Sequence, residues 1–387
     1  MKILFLISTV NKKKKGNGGH YYSLLTIAEA ISKIHEINIV HIGTISSIAL
    51  NNSNLEVEEI LSPQYNTINI LSRLDKLVKQ IEPDILHSFD VASYFFTRLI
   101  SLKYRIPTIL TKCGGRNPKI YFPYAPNLIL FSKENELYFN TSTKFKQTKI
   151  HLIPNRVNDV KVDNERIEQL KQEIDIAKYD TIILRITRIG NSYKKVNFQL
   201  INLLHSLRKQ NINCCLVFIG TIEDIEIKES LLKGAEHVYV VSEERFTVNA
   251  KELIDFADIV HGTGRSFMEA CSLSKMMLVP TVNLEYPVLF TKENYINVLN
   301  QNISGRYKEK KYNNEMVVNE IVDLLKNSNR QSEVKTFAKE VFDKYFSINA
   351  AMNNYTEIYE NTQYIKSIRI FDLFLNYLFI KKTRIRG

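Results

Sequence analysis

Short apolar runs alternate with longer segments of helical periodicity through the first half of the chain. KILFLIS is followed by YYSLLTIAEAISKIH, and INIVHIGT by LSRLDKLVKQIE; DILHSF and IPTILT then complete the series. Strands covered on both faces read as continuous apolar runs, so this alternation predicts a parallel sheet with helices on its two sides. The second half repeats the pattern. Its strand candidates are TIILRIT, NCCLVFIG, HVYVVS and DIVHG, separated by helical stretches such as VNFQLINLLHSLRKQ and one opening near Ser266. The polar, proline-interrupted segment from Pro154 to Lys161 marks the boundary between the halves. A chain of 387 residues exceeds what one core ordinarily supports. The expected architecture is therefore α/β, with two Rossmann-like domains over residues 1–160 and 161–332 facing across a cleft. Helices over 333–362 close back on the N-terminal domain, and 363–387 form a basic amphipathic tail.

Composition changes this picture little. A hydrophobic fraction of 44% and a charged fraction of 24% exclude a disordered chain. Cys113, Cys214, Cys215 and Cys271 form neither a CxxC metal pattern nor a disulfide framework, which fits a reducing, cytoplasmic setting. The opening MKILFLISTV runs into NKKKKGNGG without a cleavage site and reads as a buried first strand rather than a signal peptide. No run reaches the roughly 20 apolar residues of a membrane span.

Charge adds more. The net charge is +11, and the tail from Gln363 carries Lys366, Arg369, Lys381, Lys382, Arg384 and Arg386 against Asp372 alone. Such an end suits an anionic surface, and the absence of a nucleic-acid-reading motif among these cations favours phospholipid. Residues 368–380 place Arg369, Asp372 and Asn376 on one narrow helical stripe. Two readings stay open: a helix packed on the protein's own surface or a second copy, and a membrane-interface helix anchored by Lys381 to Arg386.

The chemistry concentrates in HGTGRSFMEACSLSKMMLVP, residues 261–280, a glycine-containing loop running into a helix. The helix start offers unpaired N–H groups to an anion, with Gly264, Arg265 and Ser266 at its mouth and Glu269 about one turn in. A pyrophosphate needs those donors, and sugar hydroxyls need the carboxylate. Upstream, Arg188 follows a strand and Lys194 precedes a helix, two cations that suit a diphosphate. Gly16, Gly18 and Gly19 follow the first strand, but GNGG is not GxGxxG, and no acidic residue ends INIVHIGT. That disfavours a nicotinamide dinucleotide. Lys12 to Lys15 beside that turn either guide an anionic acceptor or are simply solvated.

Taken in order, these segments resemble the retaining glycosyltransferases of family 4, of GT-B architecture, over about residues 1 to 360. NGGHYYSLLTIAEAIS is similar to the N-terminal Gly-Gly loop and helix, IEPDILHSF to the PDixH strand end, and IHLIPNRVN to the IPNGVD segment. TRIGNSYKKVNFQLI resembles the donor segment, and VFIG, ELIDFADIV, the Glu269 helix and TEIYE follow in the family's order. The resemblance implies that Arg188 and Lys194 hold the donor diphosphate, that Glu269 is the second glutamate of E-x7-E, and that Gly18 and Gly19 lie near phosphates and acceptor.

Three positions depart from the pattern. The first glutamate is His261, the glycine after the donor lysine is Lys195, and the usual histidine within TKCGGRNP is replaced by Lys112 or Cys113. His87 reads either as a catalytic cleft residue or as a structural one; Arg116 is assigned to an acceptor phosphate, and Arg265 to the diphosphate in place of the missing glutamate. The implied activity is retaining transfer of a sugar from a nucleotide diphosphate donor to a hydroxyl of a glycan or lipid-linked acceptor, as in bacterial surface polysaccharide synthesis. It needs no metal and no cofactor beyond that co-substrate, and no nucleic acid. It fits the cytoplasm or the inner face of its membrane. The rivals are a nucleotide-sugar epimerase of the same fold and a non-catalytic accessory subunit.

Overall fold

The computed structural model describes residues 1–11, 16, 18–233, 236–366 and 369–385. The chain divides into two units, residues 1–156 with 348–387, and residues 157–347. Lys12 to Lys15 and Arg386, named above as basic features, lie outside the described residues.

In the first unit the strands are β1 (Lys2–Thr9), β2 (Glu36–Gly43), β3 (Val57–Leu61), β4 (Ile85–Ser88), β5 (Thr108–Lys112), β6 (Asn127–Leu130) and β7 (Lys149–Leu152). They form one parallel sheet in the order β3-β2-β1-β4-β5-β6-β7. β1 is central, and its apolar run is continuous because both faces are covered. Ile3, Phe5 and Ile7 pack on one side with the helices Gly19–Ile31 and Met352–Asn361, while Leu4 and Leu6 pack on the other with Thr67–Ile81 and Val91–Tyr104. Two strands carry no clear sequence signal. β3 is an edge strand burying Ile60 alone, so VEEIL keeps its charges, and β6 is only four residues long.

The second unit holds β8 (Thr181–Ile186), β9 (Cys214–Ile219), β10 (Val238–Val241), β11 (Ile259–His261), β12 (Met276–Val279) and β13 (Val288–Leu289). Their order is β10-β9-β8-β11-β12-β13, parallel except for β13. The helical stretch after residue 328 is shared between the units. Helix Ser328–Val341 buries Phe337, Ala338 and Val341 in the second, whereas Met352–Asn361 buries Tyr355, Ile358 and Tyr359 in the first.

The tail helix, Ile370–Ile385, packs on its own unit with its polar stripe inward. Arg98 of the helix Val91–Tyr104 is 1% exposed and donates through Nη1 to Asp372 at 3.2 Å and through Nη2 to Asn376 at 3.1 Å. Asp372 also accepts from the Tyr124 backbone N–H at 2.6 Å and from Lys144 Nζ at 2.5 Å. A buried guanidinium must be paired, and the helix supplies the partner.

Removing that partner leaves Arg98 uncompensated. Asp372→Ala is expected to lower the stability of the first unit by about 3–5 kcal/mol in urea unfolding. Lys79→Ala, which removes the exposed partner of Asp75 in the same unit, leaves the midpoint essentially unchanged.

Candidate functional site

In the second unit the winding direction reverses between β8 and β11, which pair directly through Ile183 with Ile259 and Leu184 with Val260. From β8 the chain steps outward to β9 and β10; from β11 it steps the other way to β12. The loops after these two strands therefore diverge, leaving a crevice at their carboxyl ends where open α/β sheets bind ligands.

The β8 side carries Arg188, exposed, whose Nη1 donates to Glu223 at 2.7 Å and Nη2 to Tyr193 Oη at 3.0 Å. Lys194, also exposed, begins the helix Lys194–Lys209, which has no side-chain cap. The loop after β8 lies so close to the end of β9 that a Cβ on Gly220 would fall 1.8 Å from the Thr187 carbonyl oxygen.

The β11 side carries the helix Arg265–Ser272. Its N-cap is Gly264, at φ 57° and ψ −125°, a conformation reserved for glycine, with no side-chain cap and no acidic residue in the first turn. The first-turn N–H groups therefore have no acceptor within the helix. Glu269, 9% exposed, lies one turn in and is held by Arg265 Nη2 at 3.3 Å. Ser266 Oγ donates to the Thr263 carbonyl at 3.3 Å. Residues 303–305 join the two sides. The Ile303 carbonyl accepts from the Gly264 N–H at 3.1 Å, and a Cβ on Gly305 would sit 3.6 Å from Val196, two residues beyond Lys194.

Beneath the crevice lies a cluster that sequence reasoning missed. Arg185 is 1% exposed, donating through Nε to Asn197 at 2.7 Å and through Nη1 to His261 Nδ1 at 2.5 Å. It ties β8, β11 and the Lys194 helix together. Burial, and then the neighbouring guanidinium, hold His261 well below the usual histidine range, so its ring is neutral and Nδ1 accepts. Burial likewise lowers Arg185 to about 10. His261, at the position of the family's first glutamate, is thus a neutral acceptor for Arg185. The available signal was an arginine inside the apolar run TIILRIT.

In the first unit the winding reverses between β1 and β4. Gly18 caps the helix Gly19–Ile31 without a side chain; a Cβ on Gly19 would meet nothing within 4 Å, whereas one on Gly18 would fall 2.9 Å from the His20 ring. Arg116 is exposed after β5, behind Gly114 and Gly115 at φ 73° and 79°. His87 does not reach the surface. It is fully buried in β4, with Nδ1 3.0 Å from Tyr359 Oη and Nε2 2.7 Å from Thr111 Oγ1, which corrects its reading as a catalytic residue. Lys112 Nζ bonds to the Gly114 carbonyl and to Asn135 at 3.0 Å, and burial pushes the Cys113 thiol far up, so it stays protonated. A second buried network, unforeseen, joins Thr9 Oγ1 to Tyr21 Oη at 2.6 Å and His41 Nε2 at 2.8 Å, with Glu59 3.0 Å from His41 Nδ1. It fastens the carboxyl ends of β1 and β2 beneath the glycine loop. Among the described residues no cluster of His, Cys, Asp and Glu has the arrangement of a metal site.

Residues 14–141 match the model of a sequence family described as Glycosyl transferase 4-like. No curated protein matches the chain. Solved structures share the fold. A glycosyltransferase from Rickettsia africae superposes with a TM-score of 0.68 at 16% identity, covering 93% of this chain and 97% of its own. HepE from Anabaena, in complex with UDP and glucose, gives 0.64 at 15%, covering 93% and 99%. A UDP-GlcNAc 2-epimerase from Neisseria meningitidis bound to UDP-GlcNAc gives 0.58 at 15%, covering 93% and 100%. The fold is that of the GT-B glycosyltransferases, with two Rossmann-like units.

Burial lowers His87 to about 3 from its ordinary 6.5, so it is neutral when folded and gains a proton on unfolding in acid. Its contribution is complete above about pH 6.5 and is lost as pH falls toward 3, at up to about 1.4 kcal/mol per unit. Denaturant titrations at pH 7, 6 and 5 are expected to show this decline, with a shallower slope for His87→Asn.

Proposed function

We propose that the chain transfers a sugar, with retention, from a nucleotide diphosphate donor to a hydroxyl of a glycan or lipid-linked acceptor. The observation that carries this reading is the uncapped helix start at Gly264–Ser266, at the reversal of strand order, with Glu269 one turn in and the Arg188–Lys194 segment on the adjoining strand end. Backbone N–H groups and helix dipole receive the diphosphate, and Arg188 and Lys194 add charge-assisted contacts. Glu269 accepts from sugar hydroxyls, with Arg265 fixing its carboxylate.

Chemistry of this kind rests on positioning and on stabilising the departing diphosphate. The resemblance to family 4 adds front-face attack with a donor phosphate oxygen as base. On that route no protein nucleophile is needed, which accords with a buried His87 and a protonated Cys113. We assign Gly18, Gly19 and Arg116 to the acceptor side, and the reaction to surface polysaccharide assembly at the inner face of the cytoplasmic membrane, without metal. UDP is the first nucleotide to test, since HepE and the epimerase hold UDP or a UDP-sugar.

The likeness to the epimerase supports a second reading, conversion of the donor alone. Incubation of labelled UDP-sugar without acceptor separates the two: an epimer supports the second, and an unchanged donor that turns over only with acceptor supports the first.

Calorimetry with UDP and UDP-sugars tests the site directly. Arg188→Ala and Lys194→Ala are each expected to weaken binding about tenfold or more, the loss of one charge-assisted contact of roughly 1.5–3 kcal/mol. Glu223→Gln releases Arg188 from its carboxylate and should tighten binding. Glu269→Gln is expected to cut turnover more than nucleotide affinity. Unchanged UDP affinity in all three cation and carboxylate variants at Arg188, Lys194 and Glu223 would remove the site.

A further inference from the structure

The tail helix packs Leu373, Tyr377 and Ile380 on the core, yet it also buries polar residues and leaves a second apolar row outside. Its polar residues Asp372 and Asn376 point into the protein, and its outward row is Ile370, Phe371, Phe374 and Leu378, at 83%, 67%, 55% and 44% exposure. Water-facing helices carry the opposite arrangement, and a contiguous row of large exposed apolar side chains marks an interaction surface. Nor can the helix roll over to hide this row. Turning it would strip Asp372 and Asn376 from Arg98, which has no exposed surface to fall back on.

The charges on the same face have one sign. Asp372, the helix's single acidic residue, is turned inward between Arg98 and Lys144. Lys381, Lys382 and Arg384 are exposed on the last turns. Lys381 and Arg384 line a groove of about 330 Å³ with Ile68, itself 83% exposed, and Arg384 Nη1 reaches the Gln64 carbonyl at 2.5 Å. An apolar row that ends in cations suits an anionic bilayer, with the rings at the acyl boundary and the cations among headgroup phosphates. A second copy of the chain would bring the same cations and no outward carboxylate from this helix to meet them.

We propose that the outer face of the helix Ile370–Ile385 is a docking surface for anionic phospholipid, seating Phe371 and Phe374 in the interface and Lys381, Lys382 and Arg384 against headgroup phosphates. The proposal stands independently of the sugar-transfer reading, because its measurement involves no nucleotide.

The full chain is sedimented with phosphatidylcholine vesicles and with vesicles containing phosphatidylglycerol. Binding is expected to the second alone, weakening as salt is raised. Phe371→Ser with Phe374→Ser is expected to reduce binding at least about tenfold, and Lys381→Glu with Lys382→Glu likewise, with thermal unfolding unchanged because all four side chains are exposed. The proposal is overturned if the wild type stays in the supernatant with anionic vesicles or binds both vesicle types equally. It is also overturned if the phenylalanine variant binds as the wild type does, or if light scattering shows a dimer that this variant dissolves while vesicle binding is absent.

Discussion

Everything at the candidate site follows from one constraint of parallel sheets. Parallel strands point the same way, so each of them ends, and each helix that follows one begins, on a single edge. Where the winding reverses, at β8 and β11, the two departing loops cannot fill the space between them. Helix starts, whose first N–H groups find no acceptor within their own helix, gather there. Gly264 and Gly220 permit the tight backbone paths that keep the edge open, the first through its positive φ and the second through its contact with Thr187.

Two buried arginines support the fold in different ways. Arg98 meets a carboxylate, Asp372, and that ion pair decides how the tail helix sits. Among the described residues Arg185 hydrogen-bonds to neutral partners, Asn197 and His261, three residues before Arg188 on the strand whose end adjoins the crevice. A cation without a buried counter-charge leaves positive potential for an anion above it. A glutamate at position 261 would cancel that potential, and histidine, held neutral by its surroundings, does not.

The same logic separates chemistry from scaffolding in the first unit. His87 links Thr111 and Tyr359 through its two ring nitrogens, joining β4, β5 and the returning helix Met352–Asn361. Thr9, Tyr21, His41 and Glu59 form the second network beneath the glycine loop. Both include a histidine whose proton affinity is lowered by burial, and in both the ring is occupied by the protein itself. A perturbed histidine is a functional signal only when something besides the fold can reach it.

The class of fold was legible in the chain because strands covered on both faces must be apolar throughout, and β1, β8 and β9 show it. The placing of Arg188 and Lys194 between a strand and a helix, and of Gly264 before the helix Arg265–Ser272, was legible because glycine and polar residues interrupt an apolar run where a strand ends. Edge strands such as β3 were not, since one buried residue leaves no pattern. Nor were Arg185 with His261, Arg188 with Glu223, or Arg98 with Asp372, whose partners lie far apart along the chain and are chosen by packing. Periodicity in the tail specified a polar stripe and an apolar face. Only the tertiary structure decided which of them turned inward, because a buried guanidinium outweighs exposed phenylalanines when both compete for one helix.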